Sequence, residues 1–69
     1  MLAHHTYEAL ALAMEMDARD ALDLVALHDE PGLLLPPGAP VPYIEPVRLE
    51  AARIVCGWVE TYGPRPRLH

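Results

Sequence analysis

Pro46 follows Tyr43-Ile44-Glu45 and precedes an apolar series, Val47, Ala51, Ile54, Val55, Trp58 and Tyr62. Together they fix the start and the face of a helix. Proline's missing N–H costs nothing at the first helical position, and the apolar residues recur near the 3.6-residue period. Gly63-Pro64 ends the run, because glycine suits a helix C-terminus and proline cannot continue the ladder. An apolar helix face in a chain of 69 residues must find a partner. Domains this small bury only about 60% of the surface their unfolded chain exposes, and usually need a staple or a second surface.

The stretch from Tyr7 to His28 has no Gly or Pro and is rich in Ala, Leu, Met and Glu. A single long helix is expected there, over about 6–29. Thr6 is placed to cap its first turn, and Glu8 favours the positive end of the helix dipole. On a helical projection Tyr7, Leu10, Met14, Ala18, Ala21 and Val25 share one face, the expected core stripe. Glu8, Glu15, Arg19 and Asp23 fall opposite. Leu12, Met16, Leu24 and Leu27 lie outside the stripe, so the apolar surface wraps more than one side. A two-helix monomer cannot cover all of it, and a second copy is the expected cover.

Glu30-Pro31-Gly32 stops the first helix. Pro31, Pro36, Pro37, Pro40 and Pro42 make the connection over about 31–44 stiff and extended. A packed connection that lays Leu33, Leu34 and Leu35 across the helices is expected, since leucines are costly to leave in water. The rival reading is a proline-rich ligand for an aromatic-lined groove. Glu50 and Arg53 are expected to pair on the solvent side of the second helix. The tail, 63–69, carries Arg65 and Arg67 and is expected to fray. The expected fold class is therefore all-α, a single domain over 1–69. It is a two-helix hairpin, helices about 6–29 and 45–62, with two copies packed as a homodimeric four-helix arrangement.

Composition narrows the function classes. The lone Cys56 forms no internal disulfide, which fits a reducing, cytoplasmic setting. No apolar run approaches the roughly 20 residues of a membrane span, and the N-terminus lacks the basic region of a signal peptide. Lys, Asn, Gln, Ser and Phe are absent, a bias expected of a GC-rich bacterial genome. Residues 1–30 hold seven acids and one Arg, a formal −6; residues 31–69 hold four Arg and three acids, a formal +1. Direct nucleic-acid binding needs clustered Lys and Arg, so it is not expected. The acidic half suits self-association or a basic protein partner, or simply a solvated face.

Few residues suggest chemistry. His28-Asp29-Glu30 is the densest polar cluster and a weak metal candidate, with His4-His5 as possible additional ligands. No pair at the ligand spacing of H-E-x-x-H supports it, and a solvated helix terminus explains it as well. No cofactor is expected. Asp17 lies near the core stripe, and a salt bridge to Arg48 is a better expectation than acid–base work at Asp17 or Asp20. Cys56 sits mid-helix with no activating His and is expected to act as filler. Gly57 costs about 1 kcal/mol relative to Ala in a helix interior, and close approach of another helix would explain it. Trp58 and Tyr62 are candidates for an interface centre, since aromatics concentrate binding energy, or for the core beneath the leucine-rich connection. The expected interface is Tyr7, Leu10, Met14, Val25, Ile54, Val55, Trp58 and Tyr62. The chain is read as a non-enzymatic interaction or regulatory module acting as a homo-oligomer. Two alternatives stand beside it: an acidic inhibitor, of phage or mobile-element type, of a nucleic-acid-binding protein, and a small metal-binding helical dimer.

Overall fold

The computed structural model describes residues 6–63. The expectations placed on His4, His5 and the tail beyond Gly63 fall outside those residues. The chain is all-helical: α1 (Tyr7–Glu15), α2 (Ala18–Asp29), a 3-10 turn (Pro31–Leu33) and α3 (Pro46–Tyr62). No strand occurs among the described residues. α1 and α2 each pack on α3, which is the central strut, and α2 also touches the 3-10 turn.

The expected two-helix hairpin is corrected to three helices. The single helix over 6–29 breaks at Met16 and Asp17, both extended, with ψ of 132° and 143°. Asp17 is the cause. Its carboxylate accepts a hydrogen bond from the Arg19 N–H at 3.1 Å, so the side chain caps a new helix instead of continuing the old one. Asp20 in the first turn of α2 adds a favourable charge at the positive end of the dipole. The resulting elbow lets both halves reach α3.

The elbow also changes which residues face inward. The core is Ala9, Ala13, Ala21, Ala51, Ala52, Ile54 and Val55, with Met16, Ala18, Leu24, Val25, Val47, Cys56 and Val59 packed around it. Five of the seven buried residues are alanine, so α1 and α2 approach α3 closely but enclose little volume. The expected stripe on the first helix fails at Tyr7, 89% exposed, at Leu10, and at Met14, 78% exposed. Ala21 of that stripe is buried, and Ala18 and Val25 are half-buried.

The ends of the helices follow local chemistry. Thr6 Oγ1 accepts from the Ala9 N–H at 3.0 Å, the expected cap. The Thr6 N–H also donates to Glu50 Oε2 at 3.3 Å, fastening the start of α1 to α3. Pro46 begins α3 as expected, and Gly63 closes it at φ +96°, where its N–H donates to the Val59 carbonyl at 2.8 Å. The connection departs from expectation. Leu34 and Leu35 N–H groups both donate to the Pro31 carbonyl, curling the chain into a tight turn. Leu33 is left 70% exposed and Leu34 exposed as well, so neither lies across the helices; Leu35 alone is half-buried. The physical reason is the 3-10 turn, which points successive residues to different sides.

Candidate functional site

Two hollows open where the helices diverge. The larger, about 1050 Å³, runs between the α1–α2 elbow and the C-terminal half of α3. Met14 and Leu22 stand on one wall, and Val55, Trp58, Val59 and Tyr62 on the other. Met14 and Tyr62, 74% exposed, project into solvent, with Leu22 at 50% and Trp58 at 38%. Large apolar side chains this open, gathered around one groove, mark a binding surface better than a lone exposed leucine does. The smaller hollow, about 660 Å³, lies on the other side of the elbow. Leu12, Met16, Leu24, Leu27 and Leu34 form its apolar lining, and Glu15, Asp17, Asp20, Asp23 and Arg48 its polar groups.

The polar residues singled out in the sequence are arranged differently from expectation. Arg53 forms a two-pronged contact with Asp29 across the α2–α3 interface: Nη1 to Oδ2 at 3.0 Å and Nη2 to Oδ1 at 2.9 Å. It is Asp29, not Glu50, that engages Arg53, because the fork matches a carboxylate on the facing helix better than one a turn away. His28 Nδ1 lies 2.8 Å from Asp29 Oδ1. Both Asp29 oxygens are thus engaged. No group of three His, Cys, Asp or Glu side chains suited to a metal occurs among the described residues. The expected Asp17–Arg48 ion pair is replaced by the Asp17 cap on Arg19; Asp17 and Arg48 line the same hollow without pairing.

The Arg53 fork, then His28, hold the Asp29 carboxyl well below the usual carboxylate range. A folded-state pKa that is depressed contributes stability above the unfolded value, near pH 4, and loses it as pH falls toward the folded value. Asp29→Asn is therefore expected to flatten the acid limb of the stability profile, measured as Tm at a series of acidic pH values. The effect is small because the pair is exposed. An unchanged acid limb would show that the pair carries no linkage. Burial, with the Glu60 carboxylate behind it, pushes the Cys56 thiol up, which disfavours a thiolate nucleophile and agrees with a filler role.

The expected interface residues divide. Ile54 and Val55 are buried within one chain, Val25 is half-buried, and Tyr7, Leu10, Met14, Trp58 and Tyr62 are exposed. Leu22 was missed in the sequence because it lies outside the expected stripe, whose α2 members Ala18, Ala21 and Val25 do face inward.

The chain matches no family model, curated protein or solved structure. Functional inference therefore rests on the geometry. No helix among the described residues is long and apolar enough to cross a membrane.

Gly57 gives a direct reading of the α3 surface. A Cβ placed there meets nothing within 4 Å, so no neighbouring segment among the described residues needs the space. Gly57 also stands apart from the residues that line either hollow. Gly57→Ala is expected to stabilise the fold by about 0.5–1 kcal/mol through helix propensity. Urea melts read the gain. A loss of stability or of self-association would instead mark Gly57 as a point of close helix approach.

Proposed function

We propose that the chain is a non-enzymatic helical interaction module that works as a homo-oligomer, with the groove between the elbow and α3 as the self-association surface. The supporting observation is the pairing of an alanine core with an open apolar groove: the residues able to supply large hydrophobic burial stand outside the monomer core. Met14, Leu22, Trp58 and Tyr62 leave on the order of 500 Å² of side-chain surface exposed per copy. Two copies facing each other through this groove bury about 1,000 Å², the lower bound of a specific interface. A symmetric pairing of α3 and the elbow with their counterparts produces a helical bundle, which is the ordinary way to close such a face.

Trp58 is the sole tryptophan, so its fluorescence reports this surface alone. The emission maximum is expected to move to longer wavelength as the protein is diluted from about 100 μM to about 0.1 μM, a range chosen to span common dimer affinities. A spectrum independent of concentration, in a sample of monomer mass throughout, contradicts the proposal.

A further inference from the structure

We infer that the smaller hollow is a second docking surface, whose occupant is a basic amphipathic helical segment of another protein. It rests on residues other than those of the self-association groove, meeting it only at Met16 and Asp17. Two of its properties select the occupant. The lining is apolar, with Leu24 and Leu27 on α2 half-buried and Leu34 from the 3-10 turn exposed. The polar groups are four carboxylates, Glu15, Asp17, Asp20 and Asp23, against the single guanidinium of Arg48, a formal balance of −3. An apolar floor excludes a bare phosphate backbone or a free cation as the natural occupant, since neither gains from contact with leucine. An acidic rim disfavours acidic or neutral helices and attracts Lys and Arg. A helix with leucine-type anchors at i, i+3, i+4 and i+7 and cations flanking them satisfies both demands. Asp20 and Asp23 are three positions apart on α2, so both present to one side of such a helix.

The geometry also orients the contact. Arg48 stands on α3, whereas the carboxylates stand on α2, on the elbow and at the end of α1. The cationic side of an incoming helix therefore faces α2, and its less charged side faces Arg48. Like-charge contact with Arg48 rejects a helix that is basic all round, which makes amphipathicity and not charge alone the basis of selection.

The test is isothermal titration of the full chain with a synthetic Lys/Leu peptide of about four helical turns, its leucines on one face. A scrambled peptide of identical composition is the control. Saturable binding of the first peptide and not the second is expected. Asp20→Asn with Asp23→Asn should weaken it about fivefold or more at about 50 mM salt. Glu8→Gln with Glu60→Gln removes equal charge elsewhere and should change it less than about twofold. Leu34→Ser, on an exposed residue outside the helical core, should weaken binding without altering helicity; it keeps the test decisive if the Asp pair lowers stability. Equal binding of the scrambled peptide, equal losses in both carboxylate pairs, or no saturable binding up to about 1 mM overturns the inference. Solution mass measured on the same samples separates this result from the fate of the self-association reading, since peptide docking at this surface leaves the oligomer intact.

Discussion

Ile54→Ala is expected to remove about 2–4 kcal/mol, most of the stability a chain of this length commands, and so to leave a largely unfolded population. Ile54 and Val55 are the only buried residues larger than alanine among the described residues. Deleting three carbons from one of them opens a cavity that the five surrounding alanines are too short to fill. The contrast is Tyr7→Ala. Tyr7 looked like the first residue of a core stripe, yet it is exposed, so its truncation is expected to cost less than about 0.5 kcal/mol. Thermal and urea melts followed by circular dichroism compare the two. A Tyr7 variant as damaged as the Ile54 variant would mean that the α1 face is buried after all, by a second chain.

Trp58→Ala carries the second large expected effect, on association and not on the monomer fold. Trp58 lies on α3 one turn before Tyr62 and across the groove from Met14 and Leu22. Interface centres built from aromatics typically cost 2 kcal/mol or more on truncation, so the dimer dissociation constant should rise by about 30-fold or more. Because Trp58 is exposed and stands outside the residues packed on the core, helicity measured above the new dissociation constant should be retained. Concentration-dependent mass measurements read the change. An unaltered dissociation constant would move the interface away from this groove.

α3 was legible in the sequence from end to end. Pro46, Gly63 and a continuous 3.6-residue apolar period are all local signals, and nothing long-range overrides them. The break between α1 and α2 was less visible because Ala, Leu and Met favour helix on both sides of it. Its one signal was Asp17, a residue with poor standing inside a helix and high standing as a cap, followed three positions later by Asp20. Once the break is missed, both halves are read in one phase, but only α2 keeps the expected face, at Ala18, Ala21 and Val25, while α1 turns a different face inward. That is why Tyr7, Leu10 and Met14 were placed in the core while Ala9 and Ala13, which occupy it, were not. The ion pairs were illegible for a related reason. Arg53 and Asp29 are 24 positions apart, and only the packing of α2 on α3 brings them together. Of the candidate surface, Trp58 and Tyr62 were readable as aromatics at helical spacing. Leu22 and the acidic hollow depend on the elbow, and no local spacing encodes them.

The most direct measurement is solution mass by light scattering on untagged protein, at low salt and again at high salt. Hydrophobic closure of the groove predicts at least twice the 7.6 kDa chain mass at both, with high salt no weaker than low. A folded monomer of 7.6 kDa at both salt concentrations would contradict self-association through the Trp58 face.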